Sequence, residues 1–188
     1  MMRSWSGRFT VLLLILLVPV LGPAQPIPPE RRIALVIGIG AYQNAPPQVL
    51  LTTSRGGRAR YRVGESMVLR IQPTADAYLY CYYQDGSGEI SRIFPNRFQP
   101  DAFVPARTQV EVPPGGGAFS IRFEQPGASE QVACLAANRE VGLLLPPELK
   151  RQDLEPLPVR GLDEIAQRFR GIAGVQVDDA RLPIEVTR

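Results

Sequence analysis

The stretch Ala77-Tyr-Leu-Tyr-Cys-Tyr-Tyr-Gln84 limits the fold more than any other part of this chain. Successive side chains of a strand point to opposite faces, so Tyr78, Tyr80 and Tyr82 share one face and Leu79, Cys81 and Tyr83 the other. A strand that is apolar or aromatic on both faces belongs inside a sheet. Asp85-Gly-Ser-Gly88 and then Glu89-Ile-Ser-Arg-Ile-Phe-Pro-Asn96 follow it. Two β-rich runs joined by a glycine-containing loop predict a hairpin.

The rest of the mature chain carries the same texture. Met67, Leu69 and Ile71 alternate with Ser66, Val68 and Arg70, and Val110 and Val112 suggest a further strand. Phe119, Ile121 and Phe123 alternate with Ser120, Arg122 and Glu124, the pattern of a half-buried strand. Val132 to Ala137 supplies another. Turn signals at Val63-Gly-Glu65, Pro113-Pro-Gly-Gly-Gly117 and Gln125-Pro-Gly127 separate the runs. Short strands at such intervals indicate an antiparallel sandwich or a small barrel. One helix is expected near the C-terminus, because Leu162, Ile165, Ala166 and Phe169 have i, i+3, i+4, i+7 spacing. Asp163 and Glu164 in its first turn suit the helix dipole, and Gly171 lies just past its end. Leu182-Pro-Ile-Glu-Val186 reads as a last strand that Pro183 should confine to an edge.

The N-terminus has a different character. Arg3 and Arg8 precede an apolar run from Phe9 to Leu21, and Gly22-Pro-Ala24 offers a cleavage site before Gln25. This is the pattern of a secretory signal peptide over residues 1–24, leaving a mature chain without a membrane span, exported to the periplasm or beyond the cell. Its removal lowers the formal charge from +3 to +1. So even a balance excludes the basic footprint of a nucleic-acid binder. Residues 25–57 read as a proline-rich linker followed by the apolar run Ile33-Ala-Leu-Val-Ile-Gly38, and residues 58–188 as the β domain with its helix and closing strand.

Cys81 and Cys134 are the only cysteines, an even number in an oxidising compartment, and both sit mid-strand on faces assigned inward. Bonded, they would close a loop worth roughly 4 kcal/mol on the chain-entropy model. Unbonded, they would be two buried thiols acting as small hydrophobes.

The chain contains no histidine, which removes Ser-His and Cys-His nucleophile–base pairs and the commonest transition-metal ligand. Gly38-Ile-Gly40 lacks the third glycine and the following helix of a dinucleotide loop. Asp178-Asp179 and Asp85 with Glu89 are the best carboxylate groupings, but Asp85-Gly-Ser-Gly88 lacks calcium-loop spacing and fits ordinary turn chemistry. No catalytic residue, metal site or cofactor is expected.

Two surfaces stand out for binding. Arg55, Arg58, Arg60 and Arg62 form a basic run suited to an anionic partner, or else a charged edge strand that discourages sheet-to-sheet pairing. Arg92, Phe94, Asn96, Arg97 and Phe98, with the face of Tyr78, Tyr80 and Tyr82, combine residue types enriched at interfaces. The alternative is that Phe94 and Phe98 fill the core and Asn96 caps the turn.

The ordered set Tyr61-Arg-Val-Gly-Glu65, Ala77-Tyr-Leu-Tyr80, Asp85-Gly86, Ile93-Phe-Pro-Asn96, Asp101 to Val104 and Glu130-Gln-Val-Ala133 resembles the bacterial domain-of-unknown-function 4384 family over about residues 58–137. The resemblance implies an immunoglobulin-like β domain and brings no known activity; with the helix read from spacing, the expected fold is a mainly β, antiparallel immunoglobulin-like sandwich with one C-terminal helix. Members of that family are often joined to caspase-like peptidase domains, and Arg32 to Asn44 is similar to the opening strand and loop of such a domain. The matching catalytic histidine and cysteine motifs are absent. The expected function is therefore a secreted, non-catalytic recognition or adaptor domain that meets an envelope protein or wall polymer. The alternatives are a catalytically dead caspase-like remnant that pairs with an intact homologue, and a carboxylate-dependent envelope hydrolase.

Overall fold

The computed structural model describes residues 46–57, 59–127 and 130–188. The expected signal peptide, the run Ile33–Gly38 and Arg58 lie outside the described residues. In chain order the elements are β1 (Val49–Thr53), β2 (Ala59–Arg62), β3 (Ser66–Met67), β4 (Leu69–Pro73), β5 (Ala77–Gln84), β6 (Ile90–Phe94), β7 (Phe103–Val104), β8 (Val110–Val112), β9 (Ile121–Arg122), β10 (Glu130–Ala137), α1 (Leu162–Arg170) and β11 (Val177–Thr187). A short 3-10 turn at Pro147–Leu149 precedes α1.

β5 lies inside the largest sheet, whose order is β2-β11-β10-β5-β6 with β7 also pairing to β5. Its two faces serve two cores, as the alternation requires. Leu79 and Cys81 join Val132, Cys134 and Ala136 of β10 on one side. Tyr80 and Tyr82 join Ala133, Leu135 and Ala137 on the other. Size is matched across the ladder: Ala133 stands opposite Tyr82, and Ala137 opposite Tyr78. A small residue beside these two rings leaves room on that face, whereas Tyr80 stands opposite Leu135.

The first core is closed by a three-stranded sheet, β1-β4-β8, and by the β3-β9 pair. Val49, Leu69, Ile71 and Val112 come from the former, and Met67 and Ile121 from the latter. Two sheets thus face each other across a shared apolar interior, the sandwich arrangement. The alternation of Met67, Leu69 and Ile71 is continuous, yet the chain changes sheets at Val68. Val49–Thr53, within the stretch expected to be linker, forms β1 and pairs antiparallel with β4.

The second core is covered by α1. Leu162, Ile165, Ala166 and Phe169 are all buried there, the stripe the spacing predicts. Phe169 places its ring 5.1 Å from that of Tyr80 and 6.3 Å from that of Tyr82. Burying such a ring contributes about 1.5–3 kcal/mol. Gly161 at the N-cap offers no side chain, and Glu164 instead accepts a hydrogen bond from the backbone N–H of Arg160 at 3.0 Å.

Two strand expectations need correction. β11 is not an edge strand: it runs between β10 and β2, and β2 joins it in parallel, an exception to the antiparallel pattern. Pro183 stands opposite Gln131 of β10, and among the described residues the β2 ladder begins at Ile184. The strand expected over Phe119 to Phe123 shrinks to Ile121–Arg122, although Ile121 and Phe123 stay buried. β3, its sole ladder partner among the described residues, is two residues long.

Candidate functional site

The β5–β6 hairpin ends in a loop organised by one carboxylate. Asp85 Oδ1 accepts hydrogen bonds from the Ser87 N–H at 2.9 Å, the Ser87 hydroxyl at 2.7 Å and the Glu89 N–H at 2.9 Å. Gly88 has φ of +90°, a conformation that favours glycine. Asp85 is therefore held in place by its own turn, as the sequence suggests.

This loop forms one wall of a cleft of about 630 Å³. The opposite wall comes from the β9 segment, including Phe119, Arg122 and Glu124, and the floor includes Tyr83 of β5 and Glu130 of β10. The Tyr83 hydroxyl donates a hydrogen bond to the Glu130 carboxylate. Glu130 is only 3% exposed. Burial pushes its carboxyl above the usual range, and nearby Asp85 adds to this, although the Tyr83 hydroxyl acts the other way. Burial and the Glu130 partner likewise raise Tyr83, so the phenol keeps its proton. Among the described residues, Asp85, Glu89, Glu124 and Glu130 share the cleft with a single cation, Arg122. Phe119 at the rim stacks on Phe98, with ring centroids 5.9 Å apart. Among the described residues, no group of three or more His, Cys, Asp or Glu side chains is placed to hold a metal ion.

Among the described residues, the backbone of the β9 wall is paired on one side only. Phe123 donates its N–H to the Glu65 carbonyl at 3.0 Å and accepts from the Gly64 N–H at 2.8 Å. In an antiparallel ladder alternate residues turn their peptide groups to opposite sides. Those of Arg122 and Glu124 therefore face away from β3, where no strand pairs among the described residues.

The interface expected from the tyrosines and the loop after β6 is not assembled. Tyr80 and Tyr82 lie under α1, and Phe94 and Asn96 are buried. Tyr78 is half-buried against Phe103, with centroids 5.4 Å apart. Asn96 caps the turn: its Nδ2 donates to the Ile93 carbonyl at 2.7 Å, and its Oδ1 accepts from the N–H groups of Phe98 and Gln99. Arg92 donates to the carbonyls of Leu149 and Arg151, and Arg97 pairs with Asp153 at 3.2 Å. Of this set Phe98 and Arg97 are exposed, Phe98 at 47%.

The basic run is largely engaged at a sheet edge. Arg55 donates to Glu65 at 2.8 Å and to the Arg60 carbonyl at 3.0 Å, and its guanidinium lies 4.5 Å from the Tyr61 ring centroid. Arg60 pairs with Glu185 at 2.7 Å. The Arg62 side chain is exposed. Arg60 and Arg62 lie on β2, the outermost strand of the large sheet, and charge on an edge discourages pairing with another chain. Of the adjacent acids Asp178 and Asp179, Asp179 is salt-bridged to Arg170 and Arg181.

Cys81 and Cys134 stand directly opposite in the β5–β10 ladder and are joined by a disulfide. The hairpin, its Asp85 turn, the Asn96-capped corner and the glutamate that opens β10 now occupy known places. Residues 60–140 match the DUF4384 family, a domain of unknown function. No curated protein and no solved structure matches the chain. The DUF4384 segment spans β2 to β10 and carries both walls and the floor of the cleft. The helix that covers the tyrosines and the strand β11 lie beyond it.

Tyr83, Glu124 and Glu130 escape the sequence reading as a site because they come from β5, the segment after β9 and the start of β10, far apart in the chain. A signal is present in the alternation. Glu130 shares its phase with Val132, Cys134 and Ala136, which places a carboxylate on an inward face. Such a residue needs a partner.

Proposed function

We propose that this chain is an exported, non-catalytic recognition domain whose cleft engages a component of the bacterial cell envelope. The supporting observation is the cleft itself, walled by the Asp85 turn on one side and on the other by a strand margin with no partner among the described residues. Its volume falls within the roughly 300–1,000 Å³ of ordinary ligand sites. Among the described residues no helix is long and apolar enough to cross a membrane. The N-terminal pattern of charge, apolar run and small residues supports export. Absence of histidine from the sequence leaves no imidazole base for nucleophilic catalysis.

The test is capture from envelope extract by the full chain, compared with Ser91→Trp, which fills the cleft from β6. Capture should be lost with Ser91→Trp and kept when Arg60 and Arg62 are changed to Ser. Capture that follows the arginines and ignores Ser91→Trp overturns the cleft as the binding site.

A second reading, carboxylate-dependent hydrolysis, draws on one observation: Glu130 is a buried acid that holds its proton more tightly than usual, with the Asp85 carboxylate nearby. Turnover of a wall glycan or peptide that Glu130→Gln abolishes would replace the recognition reading with this one.

A further inference from the structure

We infer that the cleft takes an extended, arginine- or lysine-bearing segment of a partner protein, laid along the margin of β9 that has no strand partner among the described residues, with a cationic side chain among Asp85, Glu89 and Glu124. The inference rests on the recognition reading and names its ligand class.

Charge comes first. Among the described residues, four carboxylates and one guanidinium line the cleft, whereas the whole sequence is formally +3. Acid is thus concentrated here against the average of the chain, and an acidic concave wall selects and steers cations. Asp85 is already used by its own turn, which holds its carboxylate in one position. An arriving cation therefore meets an acceptor that needs little further ordering.

The walls then distinguish a peptide from other cations. The peptide groups of Arg122 and Glu124 face away from β3 and have no strand partner among the described residues. An extended chain added there satisfies those groups with main-chain bonds, the strand-addition mode of recognition. Its side chains alternate, so every second one enters the cleft. Phe119, backed by Phe98, presents an aromatic face at the rim on which a guanidinium can lie. The rival margin at β2 lacks this fit, because Arg55 occupies the Arg60 carbonyl and the flanking charges are basic. β6 is also unavailable, since Leu154 and Leu157 donate their N–H groups to Arg92 and Ile90.

The experiment is an NMR titration of the full chain with an acetylated hexapeptide of alternating Arg and Val. Its comparisons are the Glu-Val hexapeptide, an Arg-Val peptide N-methylated along one edge, and chitohexaose as a neutral glycan. The Arg-Val peptide should shift the amides of Arg122 and Glu124 and weaken as salt rises. Changing the exposed pair Glu89→Gln and Glu124→Gln should cost about tenfold in affinity, as should N-methylation. Equal binding of the Glu-Val peptide, or indifference to the double substitution or to methylation, overturns the inference. Chitohexaose binding in the cleft without the Arg-Val peptide overturns the peptide class and leaves the recognition reading intact. Hydrolysis of any probe overturns the recognition reading itself.

Discussion

Tyr83 and Glu130 hold each other from the two central strands of the large sheet, the phenol of β5 donating to the carboxylate of β10. Neither is near the other in sequence, and each would be costly to bury alone. Tyr83→Phe keeps the ring but strips the carboxylate of its donor. We expect a loss of about 1–3 kcal/mol, read from urea unfolding at neutral pH.

The same pair carries a pH dependence. Folding raises the Glu130 pKa, so the folded state binds the proton more tightly than the unfolded chain. Stability from this group is therefore greatest at low pH and falls as pH rises above its ordinary range. Glu130→Gln keeps an acceptor for Tyr83 and cannot ionise. Its melting temperature relative to the parent should rise between acidic and neutral pH, and a constant difference would contradict the assignment.

Glu65 behaves in the opposite sense. The Arg55 side chain and then the Arg62 backbone N–H hold its carboxyl down to about 2. That contribution is complete above the ordinary pKa and is lost as pH falls toward about 2. The parent and Glu65→Gln should thus differ at neutral pH and converge in strong acid. Glu65 and Arg55 are exposed enough for salt to reduce the difference.

The disulfide closes a loop across a sequence separation of 53 between residues with no measurable exposure. Native protein should resist reduction and alkylation until it unfolds. Replacing both cysteines by Ala should lower stability by about 4 kcal/mol on the chain-entropy model. Denaturant midpoints of the two proteins, measured without reductant, check this.

Phe169 is the contact through which α1 covers the tyrosine face. Phe169→Ala should cost about 3–5 kcal/mol and expose Tyr80 and Tyr82, seen as a change in tyrosine fluorescence. Leu143, already 87% exposed, is the control: Leu143→Ser should leave stability within about 0.5 kcal/mol.

Much of this architecture was legible in local pattern. The two-faced alternation of Ala77 to Gln84 places that strand inside a sheet, and the spacing of Leu162 to Phe169 marks the helix and its buried stripe. The Asp85 turn and the Asn96 cap are also readable, because those side chains act on backbone within a few residues. Which alternative holds for the tyrosine face was not legible, for a physical reason. A strand's period shows that two faces are apolar, but not that a helix some eighty residues later will cover one of them.

By itself the sequence determined the periodicities, the turn chemistry, the inward phase of both cysteines and the lack of an imidazole, since each depends on residue type and near neighbours alone. Only the tertiary structure decided that Cys81 faces Cys134, that Pro183 lies in an inner strand, and that Tyr83, Glu124 and Glu130 line one cleft. Those relations need register between distant strands. Register is settled by packing both cores at once, which no short stretch of chain encodes.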